Sequence, residues 1–349
     1  MIQKKEKLDY ITFLSVISAI SVVFLHTNGV FWIFSKERYW ITADIIEGIF
    51  YFAVPIFFMI SGANLIDYRK RYDTKTFFIK RIKKVVIPFI FFSVFAIFYF
   101  AYILKDFNIH IESLLSLVDI TLNAKLMKIY WFFPALICVY LSIPLFSAIQ
   151  DDIKLDVIKL FIILGFIFNI SIPFIISVFK INISIPINII VCGGYILYAL
   201  IGYYLNKVDL TKKTRIIIYI LGIFGLFLHI YGTYYLSFKY GHIVTTYKEY
   251  NNLPCMLYSV AIFVFAKYLF IYLNGNFNKW VKKVILFLKD YTFPIYLLHI
   301  FVIYGLDAMF KLPTSSIFYR LLMPIPAIII SILITYIIRK IKYLRVILP

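Results

Sequence analysis

Long uncharged apolar runs alternate along this chain with short segments that gather most of its Lys, Arg, Asp and Glu residues. A helix rises about 1.5 Å per residue, so about 20 apolar residues cross a hydrocarbon core. Runs of that kind occur at about 10–33, 45–66, 85–104, 129–149, 157–179, 183–205, 215–237, 253–273, 286–308 and 317–338. Tyr and Trp recur near their ends, where interfacial anchors belong. The stretch 105–128 is too mixed to span. IESLLSLVDITL within it predicts a short helix that lies on the surface or re-enters it. The pattern therefore predicts an all-α integral membrane protein with about ten transmembrane helices, forming one domain over residues 1–349.

Composition agrees with that pattern. The chain is 63% apolar, 20% aromatic and only 15% charged, and its mean hydropathy is +0.91. Soluble domains are far less apolar. The formal net charge of +19 is explained first by membrane orientation and anionic lipid, not by nucleic acid. Residues 10–33 lack the small-residue cleavage site of a signal peptide and read as a retained helix. Cys138, Cys192 and Cys255 fall in or beside apolar runs without metal-ligand spacing, so no metal or redox role is expected of them.

The basic residues set an expected orientation. With a cytoplasmic N-terminus, 26 of the 36 Lys and Arg residues fall on the cytoplasmic side, from Lys4, Lys5 and Lys7 to Arg339, Lys340, Lys342 and Arg345. An even number of spans then places both termini in the cytoplasm, as the positive-inside rule favours.

Several residues could carry chemistry. His26 stands in an uncharged run, where an ionisable group is costly; it either marks a functional site or hydrogen-bonds a neighbouring helix or lies near the interface. It lies about 24 Å along the first helix from Tyr10, hence in the outer half of the bilayer. Ser15, Ala19, Val22 and His26 fall near one helical stripe, and the serines of this helix read first as close-packing positions. Asp44 and Glu47 are one turn apart at the outer mouth of the second span. A solvated helix entrance is their first reading, and a paired acid/base role the second. Pro55 breaks a backbone hydrogen bond shortly before Ser61 and Gly62, which membranes tolerate beside other helices or a cavity. RKRYDTKTFFIKRIKKVVIP carries the densest positive charge, and Lys80, Arg81, Lys83 and Lys84 would suit nucleotide phosphates or simply anionic lipid. Trp131 reads as an interfacial anchor. His299, on a helix with Pro294, is a second histidine at membrane depth. No Walker A, H-E-x-x-H, G-x-S-x-G or C-x-x-C pattern occurs.

Taken together, YITFLSVISAISVVFLHTNG, FAVPIFFMISGANL, FFIKRIKKVVIPFIFF, YWFFPALICVYLSIPLF, ALIGYYLNK and FPIYLLHIFVIY, in that order, resemble acyltransferase family 3 of integral membrane proteins. The resemblance covers nearly the whole chain. It implies transfer of an acyl group, usually acetyl, from cytoplasmic acyl-CoA to a hydroxyl of a cell-envelope polysaccharide or lipid-linked glycan. It implies catalysis by His26 and CoA binding by the cluster around Lys80 and Lys84, which stands at the family's Arg-x-x-x-Arg pattern. Ser61, Tyr296 and His299 match its substrate-side motifs, and the acceptor would sit near Asp44, Glu47 or Trp131. Expected with these are a multi-pass bacterial plasma-membrane location, no metal, anionic lipid around the chain and polysaccharide-synthesis proteins as partners. The chain departs from the pattern at Ser15 and Tyr51, where many relatives carry a basic residue, and at Ile129, where many carry histidine. The competing expectation is a non-catalytic glycan exporter, flippase or assembly protein on the same fold.

Overall fold

A computed structural model describes residues 9–103, 113–123, 125–183 and 189–348. Lys4, Lys5 and Lys7, and the first two residues of IESLLSLVDITL, lie outside the described residues. The described residues form helices and connecting turns, without a strand.

The first helix, α1 (Tyr10–Thr27), starts where the Asp9 carboxylate accepts a hydrogen bond from Thr12 N at 2.7 Å. It stops at Asn28, sooner than the apolar run suggests, and the chain turns through Gly29–Trp32. His26 therefore sits in the last turn of α1. Then come α2 (Arg38–Phe50) and α3 (Ala53–Leu65), followed by α4 (Thr74–Arg81) and α5 (Ile87–Phe98), which are joined by a π-helical turn at Ile82–Val86. The short α6 (Leu114–Leu122) lies in the mixed segment. After it come α7 (Phe132–Ser147), α8 (Asp151–Leu164), α9 (Ile172–Phe179), α10 (Gly194–Lys207), α11 (Lys212–Tyr240) and α12 (Leu253–Leu273). The chain ends with α13 (Lys279–Leu288), α14 (Thr292–Phe310), α15 (Ile317–Leu322) and α16 (Pro324–Lys340).

Among the described residues, nine helical stretches are long and apolar enough to cross a membrane. They correspond in order to nine of the ten expected spans. At the remaining span, 183–205, the helix α10 has 14 residues, and residues 184–188 lie outside the described ones. The second span starts at Arg38, about two turns before its apolar run begins.

The surface of the bundle suits lipid. On α11 the buried residues are Gly222, Gly225, His229, Gly232, Thr233 and Ser237, whereas Ile216, Ile220, Ile223 and Phe227 are exposed. A water-soluble helix does the reverse. Without a hydrophobic force between helices in lipid, small residues turn inward so that backbones approach closely. The tightest such approach joins α3 to α10. A Cβ on Gly62 would stand 1.8 Å from Ala199 O, and one on Gly202 would stand 2.1 Å from Met59 O. Lys267, inside α12, donates to Leu205 O and Val208 O at 2.9 and 2.8 Å, which satisfies carbonyls at the end of α10. Helix α1 is central, packed against α2, α3 and α12 to α16, so both ends of its stripe face other helices.

Candidate functional site

His26 borders a cavity of about 660 Å³ that α1, α2, α3 and the segment before α12 enclose, with Glu47, Tyr51, Trp131, Tyr250 and Tyr296 among its other walls. The His26 and His299 rings are 5.1 Å apart, centre to centre. His299 is fully buried, and its Nδ1 is 2.8 Å from Ile295 O. Because a carbonyl can only accept, Nδ1 carries the proton, and Nε2 has no hydrogen-bond partner among the described residues. His299 thus stands behind His26 and does not border the cavity.

Asp44 and Glu47 do not form a solvated entrance. Both are buried, at 1% and 4% exposure. Glu47 is paired: Oε1 is 2.9 Å from Lys248 Nζ, and Oε2 accepts from Asn28 Nδ2 at 3.2 Å. The Asn28 amide also donates to Ala43 O at 2.8 Å. Its Oδ1 accepts from Arg320 Nη1 at 3.4 Å, and Arg320 Nη2 donates to Thr42 Oγ1 at 2.8 Å. Two cations and an anion are therefore tied together directly behind the residue after the His26 turn. Surface arguments fail here because Lys248 arrives from between α11 and α12 and makes burial of Glu47 affordable. Asp44 borders no part of the cavity, and its Oδ1 has no partner among the described residues.

Aromatic rings form one wall. Tyr51 and Tyr250 stack in parallel at 4.1 Å, Trp131 lies 5.4 Å from Tyr250, and Tyr195 lies 5.5 Å from Trp131. Trp131 is thus a cavity residue rather than a bare interfacial anchor. Lys248 Nζ sits 4.1 Å from the centre of the Tyr51 ring, a cation–π distance. Burial pushes the Tyr250 phenol well above its usual range, so this wall presents a protonated hydroxyl.

Tyr296 belongs to two cavities. Its hydroxyl donates to Ile129 O at 2.8 Å. Beyond it, toward α4, lies a smaller space of about 160 Å³ bordered by Ser15, Ser61, Tyr140 and Thr292. Ser61 Oγ donates to Phe57 O at 2.9 Å. The stripe on α1 therefore puts Ser15 at one cavity and Val22 and His26 at the other.

The basic cluster divides. The Arg81 guanidinium lies over Phe77 and Tyr140, 5.8 and 5.6 Å from their centres, and its Nε is buried without a hydrogen-bond partner among the described residues. Since Tyr140 borders the smaller cavity, Arg81 is the cluster member beside it. Lys80 instead stands over Tyr72 at 3.9 Å, and Lys83 and Lys84 are exposed. The π-helical turn at Ile82–Val86 shifts the helix register directly after Arg81. Such turns recur at functional sites.

Sequence reasoning missed Asn28, Lys248, Tyr250 and Arg320. Arg320 had a signal, because it is an ionisable residue within the run 317–338. His229, at the middle of its span and 4.9 Å from the Tyr51 ring, had the same one. Lys248 lies in a polar connecting segment and had none.

A family model described as an acyltransferase domain matches residues 8–339, nearly the whole chain. No curated protein and no solved structure gave a match.

Proposed function

The chain belongs to this acyltransferase family, and from that membership we propose that it moves an acyl group, acetyl first among them, from acyl-CoA to a hydroxyl of a cell-envelope polysaccharide or lipid-linked sugar. It is a multi-pass membrane protein of an acyltransferase family. In this reading the membrane is a bacterial plasma membrane and the Arg81 end faces the cytoplasm. CoA phosphates meet Arg81, with Lys80, Lys83 and Lys84 at the rim. The donor's acyl end passes the smaller cavity and reaches Tyr296, and the acceptor enters the larger one.

The chemistry then needs few parts. A neutral His26 accepts the proton of the acceptor hydroxyl as its oxygen attacks the thioester carbonyl. A carbon–oxygen bond forms, the carbon–sulfur bond breaks, and the departing thiolate takes the proton back from His26. Alternatively His26 itself carries the acyl group between the two cavities. His299, held by Ile295 O, fixes the position of the His26 ring. The aromatic wall offers faces on which a sugar ring can lie.

The observation that carries this reading is the shared wall. Tyr296 borders both cavities, which sets His26 and Arg81 at opposite ends of one interrupted passage. Transport or assembly on the same fold is the competing reading, supported by Ser15 and Tyr51 in place of the basic residues that the resemblance leads one to expect. Lys248 weighs against it, because its ammonium rests on the Tyr51 ring and returns a cation to that neighbourhood. The deciding experiment measures acyl esters on envelope glycans from cells carrying His26→Ala at normal membrane levels. Esterification at background supports acyl transfer by His26, and full esterification overturns it. Stabilisation of the purified chain by CoA separates donor binding from transport.

A further inference from the structure

A second polar groove, of about 490 Å³, adjoins the His26 cavity. It is formed by one face of α9 (Pro173, Phe174 and Ser177) and by the segment 242–252. Glu249 borders both spaces, so the groove and the cavity adjoin at that residue.

The segment is held by bonds that leave several of its side chains free. Val244 N donates to Ser237 Oγ at 3.0 Å, Lys248 N to Thr245 O at 2.7 Å and Asn252 Nδ2 to Thr246 O at 3.2 Å. The Lys248 side chain is anchored inward on Glu47. The polar side-chain atoms of Ser177, Thr245, Thr246, Glu249 and Asn251 make no hydrogen bond or ion pair among the described residues. This is a fixed frame carrying a row of unused donors and acceptors, and a ligand binding it would spend little on ordering the loop.

The lining also selects a ligand chemistry. Hydroxyl and amide groups both donate and accept, and the Phe174 ring adds an apolar face. No Lys or Arg borders the groove among the described residues, and its one carboxylate, Glu249, repels anions. An acyl chain would leave the polar atoms unpaired, and a phosphate-rich polymer would find no Lys or Arg, only the His242 ring, whose Nδ1 is 3.1 Å from Tyr240 O. An uncharged polyhydroxyl chain satisfies all of these conditions.

We propose that this groove holds the sugar units next to the one being acylated, so that the acceptor is an uncharged oligo- or polysaccharide recognised over more than one unit. This rests on the acyl-transfer reading for what happens at His26, while the groove's own binding is testable apart from it. The full chain in lipid nanodiscs is titrated with uncharged hexose and N-acetylhexosamine oligomers of one to six units and with phosphate-bearing oligomers of matched length. Affinity for at least one uncharged series is expected to rise about tenfold, ~1.4 kcal/mol, between one unit and three. The phosphate-bearing series should bind more weakly. Ser177→Trp, which fills the groove from an exposed position, and Asn251→Ala should each flatten the length dependence, with melting temperatures like the parent's showing that they fold. Length-independent binding in every series, or length dependence untouched in both variants, overturns the proposal, and so does tighter binding of the phosphate-bearing oligomers. If oligomers bind as expected but CoA fails to stabilise the chain, the acyl-transfer reading falls and the groove stands as a glycan site.

Discussion

Lys248 Nζ stands 2.9 Å from Glu47 Oε1, in an ion pair whose two side chains are both buried. The pair ties the segment before α12 to α2, beside the cavity that His26 borders. Removing one partner leaves a buried charge without compensation, which costs about 3–5 kcal/mol. Lys248→Met should therefore lower the melting temperature in detergent sharply. The double variant Glu47→Leu/Lys248→Met should regain most of that loss, because neither charge remains. A Lys248→Met chain as stable as the parent would mean that Glu47 finds other compensation. The double variant should still be poorly active, since Glu47 faces the cavity.

His299 gives a different signature. With its Nδ1–H bond to Ile295 O and its 5.1 Å ring distance to His26, it is a positioning residue in the acyl-transfer reading. His299→Phe keeps a ring of similar size but loses the hydrogen bond. A misplaced reacting group costs on the order of 10²-fold in rate. We expect kcat to fall by about that factor while KM for acetyl-CoA is unchanged. A residue with a merely structural part would lower the amount of folded enzyme and leave kcat per folded molecule intact.

Arg81 separates from its neighbours in the same way. Its guanidinium lies over Tyr140, which borders the smaller cavity, whereas Lys83 and Lys84 are exposed. Arg81→Gln should raise KM for acetyl-CoA about tenfold, ~1.4 kcal/mol of binding, with a small change in kcat. Lys83→Gln should do less, because exposed charges are screened. Equal effects from both substitutions would place the phosphates on the cluster as a whole.

The sequence made the spans legible because the hydrocarbon core imposes a length and a composition on each of them. It also marked His26, Ser15 and Val22 as one face, since helical spacing alone decides that. What it could not mark were partners brought in by the fold. Asp44 and Glu47 read as a solvated mouth because their compensation lies in Lys248, about 200 residues away. Arg320 and His229 were readable by the rule that singled out His26, as ionisable groups within apolar runs. Trp131 looked like an anchor because a tryptophan at a helix end is the same in sequence whether it meets lipid or Tyr250.

Gly62 and Gly202 allow the last expectation. Each lies against the backbone of the other's helix, so an added Cβ would meet Ala199 O or Met59 O at 1.8 or 2.1 Å. Backbone cannot rotate away as a side chain can, so α3 and α10 would have to separate. Overpacking costs about 1–3 kcal/mol where side chains can yield, and a backbone collision should exceed that. Gly62→Ala and Gly202→Ala are each expected to reduce the folded protein recovered from membranes several-fold. Gly29→Ala is the control, because nothing lies within 4 Å of its Cβ position, and it should leave recovery unchanged. Normal recovery of Gly202→Ala would show that the two helices can part without loss. The Ser-Gly pair of α3 would then serve the cavity through Ser61 alone.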